Sequence, residues 1–193
     1  MNGTPRFKAL RLAEFFLGIV LAALLGTACK PPPEELSPTE KQSREYYKTA
    51  YQLDHGKGTQ QDKAQAAEWY MKAANLGHAH AQYRLGWMFR TGEGLPKNLK
   101  MAFLYYSQAA EQDHANAQTM LALMHVAAEA GPRDLAQAYK WAYLADKKAN
   151  IQASRLLVQI RKEISKTELE AAEREVEQFI QHRKKIAEAK GKR

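Results

Sequence analysis

Ala81, Leu85 and Phe89 stand four residues apart, so they fall on one stripe of a helix that turns about 100° per residue. The stripe returns at a fixed offset: Leu53 lies 36 positions before Phe89, and Leu121 lies 36 positions after Leu85. Laid over 45–78 at that offset, the segment 81–114 matches throughout its length. Leu85-Gly86, Gly92-Glu93-Gly94, Asn98, Ala102, Tyr105 and Ala109-Ala110 sit over Thr49-Ala50, Gly56-Lys57-Gly58, Asp62, Ala66, Trp69 and Ala73-Ala74. A third copy carries Ala117, Leu121, Asp134, Ala138, Trp141 and Ala145, and a fourth opens at Ala153 and Leu157. Two helical patterns and one turn per copy, at a period in the thirties, predict an all-α superhelical repeat solenoid of about four helix-turn-helix units.

Polar punctuation sets the predicted boundaries. Ser37-Pro38-Thr39-Glu40 is a capping box with Pro at the first helical position, so a helix starts there and runs to about His55, where Gly56 and Gly58 end it. Asp62 with Gln65 opens a second helix that ends at Gly77. The same reading places helices near 79–91, 99–112, 115–130, 135–149 and 151–164. In the third copy Ala128 and Ala130 replace the turn glycines, and its turn is expected to be a helix extension ending at Gly131-Pro132. Ala102, Tyr105 and Ala109 are expected to face the first-helix stripe, with Gly86, Ala73-Ala74 and Ala109-Ala110 small enough for close helix approach. Ser165 with Glu168 caps a last helix whose Leu169, Ala172, Val176, Phe179 and Ile180 share one stripe, a polar-backed closure for the array.

The strings AQYRLGWMFRTGEGLPKNLKMAFLYYSQAA and DHGKGTQQDKAQAAEWYMKAA resemble the Sel-one-like repeat (SLR), a relative of the tetratricopeptide repeat (TPR). They share its Ala, Leu-Gly, aromatic, Gly-x-Gly, Asp-opened second helix, aromatic and Lys-Ala-Ala. The resemblance covers about residues 45–165 and implies TPR-like repeats across 38–165, at about 45–80, 81–116, 117–152 and a partial 153–165. It further implies a non-enzymatic protein-protein interaction scaffold, because first-helix positions of related repeats line a concave groove that receives an extended peptide. Tyr83 and Trp87 hold such positions, pointing away from the Ala81-Leu85-Phe89 stripe, with Tyr47 and Tyr51 in the first copy and Thr119 and Leu123 in the third. Arg44, His80 and Arg90 lie on or beside the same face. These residues are the expected binding set for a protein or peptide partner; the other reading packs the rings on the neighbouring repeat's first helix.

Charge divides the chain into a neutral body and two basic ends. The formal net charge is +8, of which residues 1–28 carry +2 and residues 182–193 carry +5, leaving +1 between Cys29 and Gln181. The body therefore lacks the basic footprint that phosphate backbones require, and no nucleic-acid partner is expected. Residues 1–28 have the form of an export signal, with a basic start, an uncharged run from Phe15 to Ala28 and the small residues Gly26-Thr27-Ala28. That run is short for a permanent bilayer span, so cleavage is expected. GTAC resembles a bacterial lipobox with Gly26 where the usual Leu stands, which implies lipidation of Cys29 and a periplasmic, membrane-anchored protein. An ordinary secretory signal with an incidental cysteine, or an uncleaved anchor, remains open. One cysteine forms no intramolecular disulfide, so helix packing alone must hold the fold. Residues 29–37 make a Pro-rich tether through Pro31-Pro32-Pro33, and residues 166–193 form the capping helix and basic tail.

No motif supplies catalytic or metal chemistry, and no cofactor is expected. His78 and His80, two apart at a helix start, do not face the same way, and no Cys or carboxylate pair completes a shell. Ser43, Ser107 and Ser154 lie in helical pattern without a glycine elbow. The Gly-x-Gly pairs lack phosphate-loop spacing and recur as turn punctuation. The rival function class, an envelope enzyme or enzyme regulator acting on peptidoglycan or small-molecule amides, needs a nucleophile or acid pair that the sequence does not reveal.

Overall fold

The computed structural model describes residues 36–190, and in these the chain forms eight α-helices. They are α1 (Pro38–His55), α2 (Lys63–Asn75), α3 (Ala79–Thr91), α4 (Leu99–Glu111), α5 (Ala115–Ala127), α6 (Leu135–Asp146), α7 (Ile151–Glu163) and α8 (Lys166–Lys190). Cys29 and the N-terminal segment lie outside the described residues. Each odd-numbered helix through α5 packs on the helix that follows it, and each pair then packs on the first helix of the next. This is the helical-repeat solenoid that the 36-residue offset predicts.

The caps explain why the helices begin where they do. Ser37 and Glu40 form the reciprocal capping box, the Ser37 N–H donating to the Glu40 carboxylate at 2.8 Å. Asp62, Asn98 and Asp134, successive repeat equivalents, each accept a backbone N–H three residues on, at 2.9, 3.1 and 2.9 Å. The same three residues fasten the preceding turn, their own N–H groups donating to the carbonyls of Leu53, Phe89 and His125.

That recurring bond bears on the third turn, which is not the helix extension expected from its missing glycines. Helix α5 ends at Ala127, and Ala128 takes φ 53°, the left-handed conformation that Gly56 and Gly92 take in the other copies. The Asp134 N–H to His125 carbonyl bond closes the turn as in its equivalents, so tertiary geometry imposes on an alanine a backbone normally left to glycine.

The core is rich in alanine. Ala50, Ala66, Ala73, Ala81, Ala102, Ala109, Ala117, Ala138 and Ala145 are fully buried, which lets the helices approach closely around a few large side chains. Leu85, Met88, Leu121 and Met124 fill the space between, each contributing about 1.5–3 kcal/mol on burial. Tyr105 meets the first-helix stripe at Phe89 as expected, and the fully enclosed second-helix ring is its neighbour. Tyr106 and its equivalent Tyr70 are fully buried, while Tyr105 is half-buried with its ring stacked on Phe89 at 5.7 Å.

Helix α8 closes the array along α6. Phe179 meets Trp141 edge-on at 5.8 Å, Glu175 accepts from Lys140 at 2.7 Å, and Arg183 pairs with Asp113 at 2.6 Å.

Candidate functional site

The first-helix faces of α1 and α3 carry the aromatic residues that the repeat packing leaves over. Tyr47, Tyr51, Tyr83 and Trp87 are all partly exposed, and none is enclosed. The Tyr47 ring stacks on His78 at 4.5 Å with 14° between planes, and Tyr83 stacks on His114 at 4.7 Å with 22°. One relationship thus occurs twice: a tyrosine on one first helix covers the residue that caps the next first helix. His78 and His114 are those caps, their Nδ1 atoms accepting from the N–H groups of Ala81 and Ala117 at 3.3 and 3.2 Å. At the third step Thr119 and Asn150 stand in place of tyrosine and histidine, and Asn150 caps α7 with its amide oxygen at 3.0 Å. Ring and cap change together.

Acceptance at Nδ1 fixes the tautomer of these histidines. His114 carries its proton on Nε2, which lies 3.0 Å from Nδ1 of His80 and donates to it. Burial, with His80 alongside, pushes the His114 pKa down to about 4, so the imidazole is neutral at physiological pH. His78 is lowered by burial first, then by His80 and Arg44. The rings form an unbroken path: Tyr51 lies 6.3 Å from Tyr47, Tyr47 6.0 Å from His80, His80 4.7 Å from His114, and His114 against Tyr83. Trp87 stands one turn further along α3, outside this path.

The cations divide into two groups. Arg44 and His80 are exposed. Arg90 is committed to the next repeat, its guanidinium donating to both carboxylate oxygens of Glu129 at 2.8 and 2.7 Å. Arg84, which the pattern did not single out, binds the buried Asp54, and Tyr70 donates its hydroxyl to the same carboxylate at 3.1 Å. Lys57 donates to the Tyr51 hydroxyl at 3.2 Å, and the His55 ring stacks on Tyr51 at 4.1 Å. Among the described residues no group of three or more His, Cys, Asp or Glu is placed to hold a metal ion.

Tyr47 and Tyr83 pack on the neighbouring repeat, as the second reading of these rings expects, and each keeps part of its ring in solvent. The histidine caps were missed. Their signal was present in the sequence as a 31-residue Tyr-to-His spacing found twice and answered by Thr119 and Asn150.

Stacked helix pairs with this side-chain register define a helical-repeat protein of the solenoid class. The Sel1 repeat model matches residues 46–78, 79–114 and 115–145, and the chain belongs to that family. Solved structures agree. The chain is 29% identical to a Sel1 repeat protein from Oxalobacter formigenes, with a TM-score of 0.59 over 63% of this chain and 51% of that one. It is 25% identical to a protective antigen present in uropathogenic Escherichia coli strains that displays an SLR fold, with a TM-score of 0.52 over 88% of this chain and 45% of the other. Cysteine rich protein B of Helicobacter pylori shares the fold at 20% identity and a TM-score of 0.50, over 63% of this chain and 98% of that one. The chain spans about half the length of the first two. Comparison with curated proteins gives no match. Sel1 repeat proteins are generally protein-interaction scaffolds and typically non-enzymatic.

Proposed function

We propose that this chain is a non-enzymatic scaffold of the bacterial cell envelope that binds a protein or peptide on the first-helix face of its first two repeats. Tyr47, Tyr51, Tyr83 and Trp87 supply flat, partly exposed rings, and Arg44 and His80 supply donors at the edge. Arg90 contributes by holding the rim through Glu129. The observation that carries this reading is the ring path from Tyr51 to Tyr83, which spans two repeats without a break. Such a path offers large apolar contact area with little side-chain entropy to lose, the composition of interface hot spots.

Export by residues 1–28 and lipid attachment at Cys29 would place the scaffold on the periplasmic face of a membrane. Its solved relatives come from bacteria, and among the described residues no helix is long and apolar enough to cross a bilayer. The test pairs binding with stability. Trp87→Ala, alone and combined with Tyr83→Ala, is expected to abolish capture of a partner from crosslinked envelopes, while the melting temperature of the Trp87→Ala protein stays within a degree or two of the parent. Capture that survives both changes would remove the rings from the site. Mass spectrometry of the native N-terminus checks for a diacylglyceryl group on Cys29.

A further inference from the structure

One position in each first helix faces the second helix of its own pair. In α1, α3 and α5 it is held by Ala50, Gly86 and Ala122, all buried, because a neighbouring helix lies directly over it. The equivalent in α7 is Val158, and it is 59% exposed. Ile151, two turns earlier on the same side, is 71% exposed. The cause is the course of α8. Ile164 and Ser165 turn the chain so that α8 runs along α6, by the Trp141, Lys140 and Gln137 contacts, and leaves α7. The fourth repeat therefore has a first helix whose second-helix slot is open. Beside it runs a groove of about 380 Å³ between α7 and α8, floored by Tyr139 and Tyr143 and edged by Arg161, Glu173, Glu177 and Ile180.

The two walls differ in charge. Around Ile151 and Val158, α7 presents Arg155 and Lys162, both exposed. Around Ile180, α8 presents Glu170, Glu173 and Glu177 at helical spacing along the groove side. An occupant must bring acids to α7 and bases to α8 and cover apolar residues on both. A second copy of the chain meets this requirement by symmetry. Rotated about a two-fold axis, its acidic α8 faces the basic α7 of the first copy, and its α7 faces the first copy's α8.

We propose that the chain forms a two-fold symmetric dimer through α7 and α8, each copy's α8 covering the slot beside the other copy's α7. Exposed ion pairs add little net affinity, so burial of Ile151, Val158 and Ile180 supplies most of it and dissociation falls in the micromolar range. The test is density-matched sedimentation equilibrium of the full chain in detergent. The expected mass at tens of micromolar is twice the 21.8 kDa of one chain, falling to one chain on dilution. Val158→Glu is expected to give a monomer at all concentrations with unchanged circular dichroism and melting, since the side chain is exposed. Arg155→Glu, which reverses the charge at both symmetry-related contacts, is expected to weaken association several-fold, and adding Glu177→Arg to restore it. A protein that stays monomeric at every concentration overturns the proposal, as does a dimer that both Val158→Glu and Arg155→Glu leave intact. Neither result bears on the ring face of α1 and α3.

Discussion

A Cβ atom placed on Gly86 would lie 2.6 Å from Cδ1 of Tyr106 and 2.7 Å from its Cε1. Tyr106 is fully buried, so its ring has no room to retreat. Two effects oppose each other in Gly86→Ala. Mid-helix alanine is favoured over glycine by about 1 kcal/mol, whereas overpacking a core contact costs about 1–3 kcal/mol. Because the contact is far inside van der Waals range, the clash wins. The variant is expected to lose about 1–2 kcal/mol net, read as a lower urea midpoint with helical content retained.

Asp54, only 4% exposed, answers two groups at once, the Arg84 guanidinium of the next repeat and the Tyr70 hydroxyl. Asp54→Ala strands a half-buried cation and a buried donor, and removing one partner of such a pair costs about 3–5 kcal/mol, near the upper end of single-site effects. Asp54→Ala with Arg84→Ala is expected to cost clearly less than the sum of the two single changes. Additive losses in that cycle would mean the pair does not couple the first two repeats.

Acid should loosen the repeats before the carboxylates titrate. His78, His114 and His125 all have pKa values lowered chiefly by burial, His114 to about 4. An unfolded chain protonates them near pH 6.5, and the folded chain resists. Their contribution is therefore complete above pH 6.5 and is lost as pH falls toward 4. Allowing for partial solvent exposure, His114 contributes on the order of 1 kcal/mol of loss at pH 5, a few degrees in melting temperature. His114→Asn keeps a capping oxygen, as Asn150 does one repeat on, and is expected to flatten the melting curve against pH between 7 and 5.

The fold was legible because a repeated unit states its period several times over. One 36-residue offset aligned the glycines, the caps and the small residues of the helix seams, and any single copy would have been ambiguous. What the pattern left open lay where two neighbouring positions compete. Tyr105 and Tyr106 differ by one step of about 100° on the helix, and periodicity alone did not decide which ring enters the core. The ring face was legible as leftover aromatics at first-helix positions. Its histidines were not, because His is an unusual N-cap, and its role here depends on a tyrosine from the preceding repeat covering the imidazole.

Ala128 shows the same limit at the backbone and supplies the last test. An L-residue with a Cβ is strained by about 1 kcal/mol or more in the left-handed region, yet α5 ends on one, because the Asp134 N–H to His125 carbonyl bond and the cap bond to the Met124 carbonyl fix the turn. Ala128→Gly removes that strain and restores the residue found at Gly56 and Gly92. Glycine's greater freedom in the unfolded chain takes back part of the gain. The net expectation is stabilisation of about 0.5–1 kcal/mol, visible as a higher melting temperature. The same substitution at exposed Ala127, the last helical residue, is expected to destabilise by up to about 1 kcal/mol. Opposite signs at adjacent residues would locate the helix end at Ala127, and matching losses at both would return the third turn to the helix extension that its missing glycines suggested.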